Sequence, residues 1–216
     1  MTASNDFFEV VSTTRSVRRR LDFDRPVERD VIERCIEAAV QAPTGMNREA
    51  WRFVVLTEPE PKTRIAELYR SAFDSISSRY ADRLPKAMRD QPLPAERPTH
   101  MGLAANLQRM PALILVCSEG RADPTNAAMQ VAFYGSVLPA AWSLMLALRA
   151  VGLGATWTTL LVTEEEAVAR TLGIPEDVTQ TILLPVAYTK GAVLRPAVRR
   201  RGSEVTYWNR WGKHAS

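Results

Sequence analysis

The apolar and polar positions of this chain centre on residues 127–148, a run without a single Asp, Glu, Lys or Arg. A helix of that length, rising about 1.5 Å per residue, spans a small domain or a bilayer core. Ala128, Ala132, Ser136, Ala140, Ser143 and Ala147 recur at helical spacing as a row of small residues. Val131, Tyr134, Leu138, Trp142, Met145 and Leu148 form a bulky row beside it. This spacing predicts a helix whose bulky row fills the core and whose small row admits a neighbouring backbone or a twin helix. Gln130, Tyr134, Ser136, Pro139 and Ser143 dilute the run, and no basic belt flanks it, so a buried central helix is favoured over a membrane span. Pro139 is expected to bend the helix or leave a carbonyl free.

The remaining elements follow in order. Residues 5–13 carry a short helical pattern, and Pro26 precedes an amphipathic helix over 27–41 with Val27, Val31, Ile32, Cys35, Ile36 and Ala39 on one face. A turn-rich loop, 42–47, leads into a β-branched and aromatic strand, 51–57. Residues 61–83 read as a helix with Ile65, Leu68, Phe73 and Ile76 inward. Four prolines among charges make 84–100 an irregular excursion that suits a lid, with a lid-like segment extending to about 105. The continuous apolar run 111–118 is a buried strand, and after the long helix Gly152 and Gly154 turn the chain into an extended segment, 155–161. Thr163 with Glu166 has capping-box spacing ahead of a helix closed by Gly173, and 179–188 is the last strand. The tail beyond Lys190 is basic, and Val205, Tyr207, Trp208 and Trp211 give it an apolar face that needs burial, with a partner subunit in reach. Alternating helices and strands alone favour a parallel α/β sheet.

With 216 residues and 46% hydrophobic content, the chain fits a single domain, 1–216. Cys35 and Cys117 lie in apolar segments, as reduced buried thiols would, and the N-terminal residues show no export signal; both predict a cytoplasmic protein. The net charge of +4 arises largely from two groups, Arg15, Arg18, Arg19 and Arg20, and Arg199, Arg200 and Arg201. Neither group is interleaved with aromatic residues, which argues against nucleic acid and for a phosphate-bearing small molecule.

The chemistry available is narrow. His100 and His214 are the only histidines and neither has a Cys or acidic pair at ligand spacing, so no metal site is expected. Glycine-rich nucleotide motifs and a serine-hydrolase elbow are missing. Arginines, hydroxyls, one loop asparagine and backbone amides remain, a set suited to holding a cofactor.

Four segments together resemble a known family. Thr14, Arg15, Ser16, Val17 and Arg18 are similar to its RRSxR start, residues 42–53 to APSxxNxQPWxF, residues 152–157 to GLGxxW, and residues 173–175 to the end of LGIP. In this order and spacing they resemble the FMN-dependent nitroreductases. The resemblance implies an α+β fold with a mixed, mainly antiparallel sheet flanked by helices, and a homodimer with the long central helix at its interface and the tail, about 190–216, embracing the partner. It implies FMN held at its phosphate and ribityl chain by Arg15, Ser16 and Arg18, with Arg199 approaching from the tail. Pro43, Thr44, Gly45 and Asn47 match the loop that reaches the flavin of the other subunit. Thr159 and Leu160 match positions whose backbone lies beside the flavin N5 and O4.

The implied activity is ping-pong hydride transfer from NADH or NADPH through FMN to a nitroaromatic, quinone or related acceptor, without nucleic acid, membrane or metal. Flavin-cleaving and dehalogenating branches, or a member that only binds or sequesters a ligand, are the alternatives. Several positions depart from the pattern: Thr14 replaces an arginine, Glu49 and Ala50 replace glutamine and proline, Thr159 and Leu160 replace an acidic or glycine pair, and no lysine precedes Arg199. Arg195, Arg200 and Arg201 are the cations on hand to substitute.

Overall fold

The fold is built on an antiparallel sheet of order β1-β2-β4-β3, comprising β1 (Trp51–Leu56), β2 (Ala112–Glu119), β3 (Leu153–Ala155) and β4 (Val178–Tyr188). The computed structural model describes residues 6–81 and 99–214. Helices α1 (Phe7–Thr13), α2 (Arg29–Ala39), α3 (Pro59–Ala81), α4 (Thr99–Asn106), α5 (Ala127–Ala150) and α6 (Glu165–Leu172) accompany it. The α+β expectation holds, and the parallel sheet suggested by alternation alone does not form. The reason lies in burial: β2 and β4 are covered on both faces, so each carries a continuous apolar stretch, residues 112–117 and 182–187, as parallel strands usually do.

Alternate residues face opposite layers. Ile114, Val116, Ile182, Leu184 and Val186 pack under α2 and α5, while Leu113, Leu115, Cys117, Leu183 and Ala187 pack with α3, α4 and α6. Register slips between Val116 and Cys117, leaving Thr181 as the extra residue of a bulge, and its hydroxyl donates to the Val116 carbonyl at 2.7 Å.

Pro185 shapes the sheet's far edge. Thr156 N–H donates to its carbonyl at 3.2 Å, but the ring nitrogen returns no bond, so regular β3–β4 pairing ends at Ala155. Pairing resumes at Thr158, which exchanges bonds of 3.2 and 2.9 Å with Leu183. Residues 16–17 cover the outer edge of this stretch: Val17 N–H donates to Ala155 O at 2.9 Å and Thr156 Oγ1 to Val17 O at 2.6 Å.

Several expectations need correction. α5 runs unbroken through Pro139, but only its C-terminal half is buried, including Val137, Ala140, Ala141, Leu144 and Leu148. The bulky row does not fill the core along its length: Val131 is 74% exposed, and Tyr134 and Trp142 are exposed too. Met145 and Leu148 of that row do reach the core, and Ser136 and Ala140 of the small row turn toward the chain's own elements as well. Thr163 is no capping residue; its hydroxyl donates to Leu160 O at 2.9 Å inside a 3₁₀ turn, Leu160–Glu164, and α6 starts from Glu164 without a side-chain cap. Gly173 does close α6, in the left-handed conformation. The tail is not buried against its own chain, with Trp211 89% exposed and Val205 and Trp208 exposed. Of the proline-rich excursion, residues 84–98 lie outside the described residues, and the part from Thr99 onward is helical.

Candidate functional site

Backbone pairing at the sheet edge assembles the arginine cradle. With residues 16–17 lying along β3, Ser16 Oγ accepts the Trp157 N–H at 3.0 Å. That leaves the hydroxyl proton of Ser16 available to a ligand. The close approach requires glycine at 154, because a Cβ there would stand 2.9 Å from Thr189 Cγ2 and 3.2 Å from Val17 Cβ.

Arg15, Ser16, Arg18, Arg19, Arg20 and Arg195 line one open cavity of about 580 Å³. Arg15 Nη1 donates to the Arg195 carbonyl at 3.3 Å, and Arg20 Nη1 donates to Gly191 O at 2.8 Å. Arg18 differs from these. It is half-buried, and its Nε is enclosed without a hydrogen-bond partner. Desolvation pushes its pKa below the usual arginine value, opposed by the nearby Tyr69 hydroxyl. A buried donor without an acceptor, beside a serine hydroxyl with a proton to give, is the donor chemistry that a phosphate satisfies. The residues therefore fit the phosphate end of a flavin mononucleotide.

The cradle connects directly to a second feature. Trp157, held by Ser16, leads into Thr158, Thr159 and Leu160. Thr159 is exposed, and its amide donates to no acceptor among the described residues. Leu160 N–H donates to Thr158 Oγ1 at 3.4 Å, and Thr158 Oγ1 also lies 3.1 Å from the Tyr69 hydroxyl. Burial raises the Tyr69 pKa, so the phenol stays protonated. The turn thus presents one free backbone donor next to the anion cradle.

Pro43, Thr44, Gly45 and Asn47 do not join this cavity. Their loop is seated on α5, where Gly45 N–H donates to Ser136 Oγ at 3.0 Å. Met46, Asn47 and Glu49 all have positive φ, a concentration of strained non-glycine residues typical of a site-forming loop. Arg199 also lies outside the cavity in the single chain, exposed, with Nη1 turned to its neighbour's carbonyl, Val198 O, at 3.3 Å. Arg195 reaches the cradle instead, as one of the substitutes weighed from sequence.

A second, apolar groove of about 550 Å³ begins at Ser16 and Trp157 and runs along α5 past Tyr134, Leu138, Pro139 and Trp142. It is formed by the bulky row that the core leaves uncovered.

Sequence reading missed Tyr69 and Thr158, whose link joins residues 89 positions apart. A weak signal was present, since Tyr69 follows the inward-facing Ile65 by one helical turn. Among the described residues, no group of His, Cys, Asp or Glu is placed to hold a metal ion. Cys35 and Cys117 are buried, with burial raising their thiol pKa values to about 11 and about 12.

Known proteins resemble this chain in sequence and fold. Iodotyrosine deiodinase 1 of Rattus norvegicus is 29% identical over 200 residues, which cover 92% of this chain and 67% of the relative, so the chain spans about two thirds of that protein's length. A crystal structure of iodotyrosine deiodinase bound to FMN and 3-iodo-L-tyrosine matches with a TM-score of 0.67 at 20% identity, covering 95% of this chain and 98% of the other. The FMN-dependent nitroreductase NfnB of Mycobacterium smegmatis, in complex with NADPH, matches with a TM-score of 0.69 at 19% identity, covering 94% and 97%. The Nitroreductase family profile matches residues 11–188, a span that includes Arg15, Ser16 and Arg18 of the cradle, the strained loop, the long helix and the turn at Thr159, and the chain belongs to the Nitroreductase family.

Proposed function

We propose that this protein is an FMN-dependent oxidoreductase. The observation that carries the reading is Arg18: a half-buried guanidinium with an enclosed, unpartnered Nε, in one cavity with Arg15, Ser16 and Arg195. Arg15 and Arg18 would hold the flavin phosphate by charge-assisted bonds, Ser16 would donate its free proton to the phosphate or ribityl chain, and Arg195 would add positive charge from the base of the tail. The exposed Thr159 amide, with Leu160 beside it, would face the ring edge where negative charge accumulates on reduction. FMN itself supplies the chemistry, accepting a hydride and passing electrons on. NADH or NADPH is the proposed reductant, and a nitroaromatic, quinone or related compound the acceptor.

The site is completed by a second copy of the chain. The groove along α5 has the apolar character of an interface, and the strained loop at Pro43, Thr44, Gly45 and Asn47 lies on the same helix, where it can extend to the flavin of the other copy. The tail, with Arg199, Trp208 and Trp211 exposed, is positioned to cover that partner. The proposed assembly is a homodimer, and the buried reduced thiols Cys35 and Cys117 support placing it in the cytoplasm.

A second reading, reductive dehalogenation of a halogenated phenol, is favoured by the match to deiodinases over nine-tenths of the chain. One experiment separates the two. Protein reconstituted with FMN is reduced without oxygen, and reoxidation is followed after adding a nitroaromatic, a quinone or 3-iodo-L-tyrosine. Fast reoxidation by the nitro compound or quinone supports the first reading. Reoxidation by 3-iodo-L-tyrosine with release of iodide, and not by the others, supports the second.

A further inference from the structure

Tyr69 has no role in holding the phosphate or in reaching a substrate, yet its surroundings are unusual. It lies on α3, 3% exposed, with its hydroxyl 3.1 Å from Thr158 Oγ1. The same oxygen of Thr158 accepts the Leu160 N–H at 3.4 Å. The main chain of Thr158 is fixed on its other side by the paired bonds with Leu183. Arg18 stands close enough to Tyr69 for each to shift the other's titration. Whichever of the two hydroxyls donates, Thr158 Oγ1 is held by two hydrogen bonds, one shared with Tyr69 and one from the Leu160 N–H.

The geometry points to Tyr69 as a positioning residue that anchors the turn at residues 158–160 to α3 and thereby aims the free Thr159 amide. This rests on the FMN reading. Two hydrogen bonds meeting at one hydroxyl oxygen leave Leu160 N–H engaged and Thr159 N–H exposed, so residues 158–160 present a single directed donor. Preorganised donors of this kind favour the charge that develops on a reduced ring more than the neutral oxidised ring.

The test uses Tyr69→Phe, which keeps the ring in the core and removes only the hydroxyl, with Thr158→Val and the double variant. In flavin-free protein, amide hydrogen exchange in the segment around 158–162 should quicken in Tyr69→Phe, while exchange in β2 is unchanged. In FMN-loaded protein, the preference for reduced over oxidised flavin should fall about tenfold, which is about 30 mV more negative for a two-electron couple. Tyr69→Phe should add nothing to Thr158→Val, since both act through one hydroxyl. Unchanged exchange in the turn, wild-type potentials in both single variants, or fully additive shifts would each overturn the assignment. A wild-type protein that takes up no FMN refutes the FMN reading itself. Quickened exchange without any change in potential keeps that reading and removes only the role given to Tyr69.

Discussion

Replacing Arg18 with methionine should stabilise the flavin-free protein and destabilise the flavin-bound one. Methionine retains an unbranched apolar stem and removes the guanidinium, whose enclosed Nε has no acceptor. An enclosed unpaired donor costs about 1–3 kcal/mol, and a half-buried side chain belongs at the low end, about 1 kcal/mol. For a chain of this size that corresponds to a melting temperature about 2–4 °C higher without FMN. With FMN the order reverses. At an FMN concentration about 100 times the wild-type Kd, binding stabilises the wild type by about 2.7 kcal/mol. Losing one charge-assisted bond to phosphate costs about 2 kcal/mol, or roughly 30-fold in Kd, so the variant gains only about 0.9 kcal/mol. The variant should then lie about 0.8 kcal/mol below the wild type. Thermal unfolding with and without FMN measures both differences. An Arg18→Met protein that is less stable without FMN, yet equally stabilised by it, would refute the reasoning that this arginine is held ready for an anion.

Other outcomes follow from the same geometry. Arg15→Ala and Ser16→Ala should lower FMN retention on desalting more than Arg20→Ala, because Arg20 Nη1 is held by Gly191 O at 2.8 Å, a shorter contact than the 3.3 Å from Arg15 Nη1 to Arg195 O; equal losses would remove that distinction. Gly154→Ala should cost about 1–3 kcal/mol in urea unfolding, since its Cβ meets Thr189 Cγ2 at 2.9 Å, and should weaken FMN binding by displacing residues 16–17. Both cysteine thiols have folded pKa values above the ordinary one of 9.0, at about 11 and about 12, so the stability they contribute is present below pH 9 and lost as pH rises through that window. Each should remove up to about 1.4 kcal/mol per pH unit there, and Cys117→Ala should flatten the alkaline slope of the unfolding free energy. Val131→Glu, on the exposed bulky row, should shift the protein from dimer to monomer in light scattering without unfolding the single chain.

What the sequence could reveal was set by the range of the interactions involved. Strands such as 51–57, 111–118 and 179–188 were legible because continuous apolar or β-branched runs are local signals, and Gly173 marked a helix end for the same reason. Strand direction was not legible: β2 and β4 are buried on both faces, and their continuous apolar stretches, residues 112–117 and 182–187, read the same in parallel and antiparallel sheets. Periodicity grouped two rows along α5, but burial divides them by position: Ala140, Met145 and Leu148 reach the core, while Ala128, Val131 and Ala132 stay exposed where no element among the described residues covers them. The capping-box spacing at Thr163 lost to a 3₁₀ turn that takes its hydroxyl first.

The candidate site divides in the same way. Arg15, Ser16 and Arg18 could be singled out because alternating hydroxyls and guanidinium groups lie within a few residues. The structure adds the reason for their arrangement, an edge pairing with β3 in which Ser16 takes the Trp157 N–H. Arg195, 180 positions from Arg15, could be named only as one of three available cations. Tyr69 and Thr158 meet across 89 positions, and no local pattern announces that contact.

The central claim, that the cradle and the turn at Thr159 hold a redox-active FMN, is tested most directly by the visible absorbance of purified protein after incubation with FMN and desalting, before and after addition of NADH or NADPH without oxygen. The account predicts one retained flavin per chain, with its oxidised band bleached by at least one of the two nucleotides. Protein that retains no flavin after reconstitution, or a retained flavin that neither nucleotide bleaches, would contradict it.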